Sequence, residues 1–159
     1  MLRVALACCL AVFFLTGVAS DSFADSAPSF DLPVVQGEGP GSLEELKGQI
    51  VLVEFWATYC GWCRSTHPRL KKLSQKYKPS LAVLGISSQG FKRLSKYLRK
   101  HRLGFTVLHD RKRRIARKYG VEGTPSVALI GRKGELLFFG AGLRAVDHAV
   151  SLAEEKLAR

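Results

Sequence analysis

Two cysteines separated by two residues, Cys60 and Cys63, carry the chemistry that this sequence predicts. The apolar run at residues 51–56 is typical of a buried strand, and the pattern after it indicates a helix that begins near Cys60. The first turn of a helix has unpaired N–H groups and a partial positive charge, which stabilise a thiolate. We therefore expect Cys60 to be the catalytic nucleophile that forms a mixed disulfide, and Cys63 to be the thiol that resolves it.

The helix after Cys60 has one inward face, which sets the direction of the second cysteine. Its members recur at helical spacing and are Cys63, His67, Leu70, Leu73 and Tyr77. Cys63 therefore points into the protein, whereas Cys60 lies at the helix start.

A CxxC pair also occurs as half of a zinc site or as a structural disulfide. A tetrahedral zinc site needs two more ligands, and the sequence has no second CxxC pair and no His-x(3–5)-His motif. The other two cysteines, Cys8 and Cys9, lie in the apolar segment at the start of the chain. We favour redox chemistry, with a redox-active Cys60–Cys63 disulfide, no metal and no cofactor.

Residues 1–24 are typical of an export signal, because Arg3 precedes an uncharged, mostly apolar run at residues 4–19 and small residues follow. The run is short for a membrane span, although an uncleaved anchor is the open alternative. Residues 25–159 have the length of one domain. We expect a periplasmic or otherwise exported protein. If residues 1–24 are removed, Cys60 and Cys63 are the cysteines that remain, and this pair then serves a function in an oxidising compartment.

Strand and helix patterns alternate along the rest of the chain. Strands are predicted at 51–56, 81–86, 105–109, 126–130 and 135–139, and helices at 60–79, 91–101, 115–119 and 144–157. This alternation favours a parallel α/β core that ends in a hairpin. Before it, Phe30 and Leu32 should anchor an extended segment, and Ser42 with Glu45 predicts a capping box on a short helix.

Four segments together resemble a known family. Residues 53–63, with Pro68 five residues later, are similar to the active-site segment of thioredoxins. Residues 27–33 and 42–48 resemble the N-terminal extension of the exported TlpA/ResA-like branch, and residues 119–125 resemble its cis-proline loop. The resemblance implies a thioredoxin fold with an N-terminal extension, in which helices flank a central mixed sheet, and activity on protein thiols and disulfides.

Glu54 is unusual because a carboxylate is costly inside a buried strand. In thioredoxins a buried aspartate at the matching position exchanges protons with the inner cysteine, which implies that Glu54 is the catalytic proton acceptor for Cys63. Many exported relatives instead have a glutamate three residues after the second cysteine, where this chain has Thr66. A purely structural carboxyl is the alternative.

Three residues are candidates for contact with the substrate. By the resemblance, Pro125 is a cis-proline beside the cysteines, and the backbone of Thr124 hydrogen-bonds the partner's chain. An ordinary trans turn proline is the alternative. Trp62 lies between the cysteines as an aromatic side chain suited to a partner-facing surface.

His67 departs from the family pattern, in which the residue before the helix proline is usually apolar. It could tune a thiolate, or join Cys60 and Cys63 in holding Cu(I), or be a half-buried histidine with its polar end satisfied.

Positive charge is concentrated in the basic segment, which begins at Lys92 and ends at Lys118. It holds twelve Lys and Arg against one acid, Asp110, and so accounts for all but one unit of the chain's net charge of +12. A solvated face, an acidic partner and an anionic membrane surface are the open interpretations. Nucleic acid is not expected, and the sequence has no phosphate-binding glycine loop.

These observations predict an exported thiol–disulfide oxidoreductase that reduces protein disulfides. The resemblance implies work such as cytochrome c maturation, with a membrane protein as electron donor. An oxidase or isomerase with the same residues, and less favoured a Cu(I) chaperone, are the alternatives.

Overall fold

A computed structural model describes residues 26–158, in which strands and helices alternate around one sheet. The strands are β1 (Val34–Gln36), β2 (Ile50–Phe55), β3 (Leu81–Ser87), β4 (Thr106–His109), β5 (Ser126–Ile130) and β6 (Leu136–Ala141). The helices are α1 (Gly61–Lys76), α2 (Phe91–Lys100), α3 (Arg114–Lys118) and α4 (Leu143–Leu157). The predicted export signal, residues 1–24, lies outside the described residues.

The sheet is mixed, with strand order β1-β4-β3-β2-β5-β6. β2, β3 and β4 are parallel, whereas β5 is antiparallel to β2, β6 to β5, and β1 to β4. Every residue of β2 is buried, because β2 has a neighbour on each edge and packed side chains on both faces. This arrangement confirms the predicted thioredoxin fold and leaves the cysteines at the carboxyl end of the central strand.

Alternating side chains of β2 enter two hydrophobic layers. Leu52 packs with the inner faces of α1, α2 and α4, as does Trp56 just after the strand, while Val51 and Val53 pack with α3 and the N-terminal extension. Phe30 is buried as predicted. Leu32 is only partly buried, so the extension has one strong anchor where two were expected.

The predicted capping box is wrong in detail. The segment forms a 3-10 turn at Glu44–Leu46, and Oγ of Ser42 accepts a hydrogen bond from the N–H of Glu44 at 3.2 Å. Leu43 occupies the N-cap position, so Glu45 is the second residue of the turn and not the third, and the Ser42–Glu45 pairing of a capping box does not form.

None of the helices in residues 26–158 combines the length and the apolar composition needed to cross a membrane.

Candidate active site

The cysteine pair occupies the first turn of α1. Cys60 is the N-cap residue, and its Sγ accepts a hydrogen bond from the N–H of Cys63 at 3.1 Å. The two side chains are joined in a disulfide, with their Cα atoms 5.3 Å apart. Cys60 keeps 8% of its surface exposed and Cys63 none. The cysteines therefore lie where the sequence predicts them, with the first at the surface and the second beneath it.

The loop between β2 and α1 is held by side chains from neighbouring segments. Oε1 of Gln89 accepts hydrogen bonds from the N–H and the hydroxyl of Thr58, at 2.8 and 3.1 Å. The guanidinium of Arg64 donates to the carbonyl of Thr58 at 2.9 Å. These contacts fix the entry into α1, so the position of Cys60 is set by the strand, the loop and the helix together.

Glu54 lies in β2 behind the active-site helix and is completely buried. The hydroxyl of Thr66 is 2.6 Å from its Oε1 and 2.8 Å from the carbonyl oxygen of Cys63. A hydroxyl can donate to a carboxylate, or accept from a carboxyl while donating to the carbonyl. Thr66 therefore fits both protonation states of Glu54 and connects it to the Cys63 backbone.

His67 contacts the other oxygen of the same carboxylate. Its Nε2 lies 3.1 Å from Oε2 of Glu54, although the ring N–H is not aligned for a hydrogen bond, and neither atom has another hydrogen-bond partner among the described residues. The ring packs edge-on against Trp56 and Phe105, with centroids 4.9 and 5.6 Å apart. The histidine is almost fully buried, and its polar edge faces Glu54.

The loop before β5 contains a cis peptide bond between Thr124 and Pro125, as the resemblance implied. Phe55 pairs with Ser126 in the sheet, which brings this loop beside the end of β2. The hydroxyl of Ser126 donates to the carbonyl of Gly123 at 2.8 Å, and the N–H of Gly142 donates to that of Pro125 at 2.8 Å. The sheet pairing thus brings the proline loop to the same end as the cysteines.

A groove of about 440 Å³ lies between the proline loop and the loops that follow β2 and β3. Tyr59, Gln89, Arg113 and Thr124 are among its lining residues. A cavity of about 490 Å³ lies at the opposite ends of the strands and includes none of the predicted site residues. We place the chemistry at the smaller groove, because it adjoins the cysteine loop.

Exposed aromatic side chains flank the cysteines. Tyr59 is 71% exposed and Trp62 is 63% exposed, so both large rings face solvent. Exposed aromatic side chains of this size are enriched at the centres of protein interfaces. The structure thus places Trp62 at the surface, where the sequence predicts it.

All twelve basic side chains of the basic segment are exposed. Its acid, Asp110, is buried, and its carboxylate accepts hydrogen bonds from the N–H groups of Arg114, Ile115 and Ala116 at 2.9 to 3.0 Å. Asp110 caps the N-terminus of α3 while buried, so the exposed charge of the basic segment is almost wholly positive.

Sequence reasoning missed the contacts that Thr66 and His67 make with Glu54. Both residues follow Cys63 by about one helical turn, which placed them near the inner cysteine. No signal in the sequence shows that a strand residue twelve positions before Thr66 and thirteen before His67 lies opposite both of them.

The fold and the disulfide at the first turn of a helix define a thioredoxin-like domain with a redox cysteine pair. The chain belongs to the AhpC/TSA family, whose sequence profile matches residues 23–138.

Curated relatives agree with this assignment. The chain is 35% identical to the thioredoxin-like protein YneN of Bacillus subtilis, over 68% of this chain and 65% of that protein. It is 31% identical to the thiol:disulfide interchange protein DsbE of Pseudomonas fluorescens, over 67% and 60% of the two chains. It is 27% identical to the thiol-disulfide oxidoreductase ResA of Halalkalibacterium halodurans, over 71% and 65%. The chain thus spans less than two thirds of the length of these relatives.

A solved structure extends the match to most of the domain. The crystal structure of a DsbE-type thiol:disulfide interchange protein from Chlorobium tepidum superposes with a TM-score of 0.74 at 34% identity, covering 85% of this chain and 95% of that one. These matches confirm the resemblance to the TlpA/ResA-like branch of thioredoxin-like proteins.

Proposed function

We propose that this chain is an exported thiol–disulfide oxidoreductase that reduces disulfides in other proteins. The observation that carries the proposal is the disulfide at the first turn of α1, with Cys60 at the surface and Cys63 beneath it. Relatives named for thiol–disulfide oxidoreduction and interchange support the same activity.

The reaction begins with the thiolate of Cys60, which the helix start stabilises. It attacks one sulfur of the partner's disulfide, and the partner's other sulfur leaves as a thiolate that takes a proton from water. Cys63 then gives its proton to Glu54, and its thiolate attacks Sγ of Cys60. The partner's sulfur that was bound to Cys60 leaves as a thiolate. Two electrons pass to the partner, and the Cys60–Cys63 disulfide remains.

The partner's chain docks around the groove beside Cys60. In this proposal the backbone of Thr124 hydrogen-bonds an extended segment of the partner, and Pro125 keeps β5 from covering the sulfurs. Trp62 contributes an exposed aromatic contact.

The relatives and the predicted export signal support a proposal for the substrate class. We include in the proposal reductive work in an oxidising compartment, for example on the haem-binding cysteines needed in cytochrome c maturation. The oxidised pair would then be recycled by a membrane electron donor. An acidic partner or an anionic membrane surface would meet the basic segment, and no nucleic acid is involved.

The alternatives differ in what supports them. An oxidase or isomerase would use the same residues with a different redox poise. The Cu(I) chaperone lacks support, because His67 faces Glu54, and no three His, Cys, Asp or Glu side chains within residues 26–158 form a metal-binding group.

Equilibration of the Cys60/Cys63 pair with glutathione or dithiothreitol measures the potential that separates reductant from oxidant. We expect a value near that of thioredoxin, about −270 mV, and reduction of a disulfide-bonded test protein by the dithiol form. A value near about −120 mV would assign the chain to the oxidants instead. The Cys60→Ser variant is the control for the reduction of the test protein, because it lacks the nucleophile.

A further inference from the structure

We propose that His67 is a positioning residue for proton transfer, acting on Cys63 through Glu54. This inference rests on the proposed function, since it concerns the step in which Cys63 resolves the mixed disulfide. It goes beyond the family pattern because it assigns a role to a histidine in place of the usual apolar residue.

The first step of the argument is burial. Glu54 is completely buried, and burial disfavours the charged form of a carboxyl group. A carboxyl that stays protonated cannot accept a second proton from a thiol. Some neighbouring group must therefore favour the carboxylate if Glu54 is to act as the acceptor.

The second step is the contact at Oε2. Nε2 of His67 is 3.1 Å away, and neither atom has another hydrogen-bond partner in residues 26–158. A ring N–H at Nε2 brings a partial positive charge close to the carboxylate oxygen, and positive charge at a few ångströms favours the charged form of a carboxyl group. The hydroxyl of Thr66 contacts Oε1, so each oxygen of the Glu54 carboxylate has its own partner.

The third step is the environment of the ring. The titratable group that contacts the ring is Glu54 from β2, and Cys63 lies one turn earlier in α1. The remaining contacts are the rings of Trp56 and Phe105, and Tyr97 of α2 packs against Trp56 at a centroid distance of 5.7 Å. Glu54 is thus the acid with which the imidazole forms an ion-pair contact.

The fourth step is the proton's path. The thiol proton of Cys63 moves to the Glu54 carboxylate, and the Cys63 thiolate that remains attacks Sγ of Cys60. The side chain of Glu54 is wholly enclosed, whereas that of His67 keeps 7% of its surface exposed. His67 thus favours the accepting form of Glu54 and retains a small solvent-exposed surface.

The test is a stopped-flow reaction of the reduced protein with 5,5′-dithiobis(2-nitrobenzoate). Attack by Cys60 releases one thionitrobenzoate in a concentration-dependent phase, and attack by Cys63 releases the second in a unimolecular phase. In His67→Gln we expect the first phase to be unchanged and the second to slow by about tenfold or more at neutral pH. The dependence of the second phase on pH should also differ from that of the native protein, because the carboxylate has lost its contact with the imidazole.

Two further variants separate positioning from packing. Glu54→Gln should slow the second phase, and adding His67→Gln to it should have no further effect, since both act through one proton transfer. His148→Gln is the matched control, because His148 is exposed on α4, and both phases should equal those of the native protein.

Ring signals in NMR spectra give a readout that needs no turnover. The signals of His67 should respond at a different pH in Glu54→Gln than in the native protein, while those of His148 respond at the same pH in both. Far-UV circular dichroism establishes that each variant is folded.

Several results would overturn the inference. The first is a second phase in His67→Gln that has the native rate and the native pH profile. The second is additive effects of His67→Gln and Glu54→Gln on that rate. The third is a pH response of the His67 ring signals that is the same in Glu54→Gln as in the native protein. The proposed function fails separately, if both phases appear but no protein disulfide is reduced.

Discussion

The two sulfurs of one disulfide meet different surroundings at the start of α1. Cys60 is the N-cap and retains some exposure, whereas Cys63 is enclosed by the helix and β2. Thiolate character and access together decide which thiol can attack a large partner. The asymmetry of the pair is therefore a property of single residues one helical turn apart.

This asymmetry predicts that the two cysteines are not interchangeable. Cys63→Ser should trap partner proteins as mixed disulfides on Cys60, because no thiol remains to resolve them. Cys60→Ser should trap almost none, since the buried thiol of Cys63 cannot reach a folded partner. Non-reducing electrophoresis of affinity-purified variants measures both yields.

The variant that lacks both cysteines sets the background of this trapping measurement. Equal yields from the two single variants would contradict the argument from burial.

Among the elements, the proline loop depends on a residue at its far end. Tyr119, just after α3, packs against Phe55 with a centroid distance of 5.3 Å, and its hydroxyl donates to the carbonyl of Pro28 at 2.8 Å. Burial raises the pKa of the Tyr119 phenol above its usual range. One side chain thus joins the loop, the central strand and the N-terminal extension.

Because the pKa of Tyr119 is raised, the free energy of unfolding depends on pH in the alkaline range. A buried phenol favours its neutral form, so its contribution is fully present below about pH 10, the unfolded value, and is lost as pH rises above it. We expect Tyr119→Phe to lower the free energy of unfolding by about 1 kcal/mol at neutral pH, because the hydrogen bond is lost. Between about pH 9 and about pH 11, the free energy of unfolding of this variant should fall less than that of the native protein. Urea unfolding across this range measures the difference.

Tyr59→Phe is the control for this experiment, because Tyr59 is exposed and its loss should leave the native pH dependence in place. A Tyr119→Phe profile parallel to the native one would show that the phenol does not ionise on unfolding.

Across the whole molecule, charge is distributed unevenly. The basic segment supplies α2, α3 and the loop between β4 and α3, and its acid is buried. The N-terminus of α2 follows the carboxyl end of β3, at the same end of the sheet as the cysteines. A strong positive field at that end would raise the encounter rate of an acidic partner.

The salt dependence of the reaction tests this field. For a disulfide peptide rich in Asp and Glu, we expect the rate of attack by Cys60 to fall as ionic strength rises from about 0.01 to about 0.15 M, because the Debye length shrinks from about 30 to about 8 Å. Lys92→Glu with Lys96→Glu should weaken that dependence. Stopped-flow mixing at several salt concentrations measures it.

A matched pair on other surfaces, Lys72→Glu with Lys133→Glu, controls for total charge, since both side chains are exposed outside the basic segment. If both pairs change the salt dependence equally, the rate depends on the net charge of the protein and not on the position of the basic segment.

The sequence by itself determined the elements from β2 onward and the place of the cysteine pair, whereas β1 was predicted only as part of an extended segment. The apolar run before Cys60 and the helical spacing after it depend on neighbours in the chain, so β2 and α1 could be predicted to within a few residues. The cis peptide at Pro125 was available only through the resemblance, because an isolated proline is usually trans.

Only the tertiary structure decided what surrounds Glu54. Its contacts with Thr66 and His67 join a strand to a helix, and their geometry depends on how α1 packs across β2. The 3-10 turn after Ser42 and the second cis peptide, between Lys78 and Pro79, were likewise not foreseen. Periodicity shows which face of an element turns inward, but the packing of two faces determines which polar atoms meet.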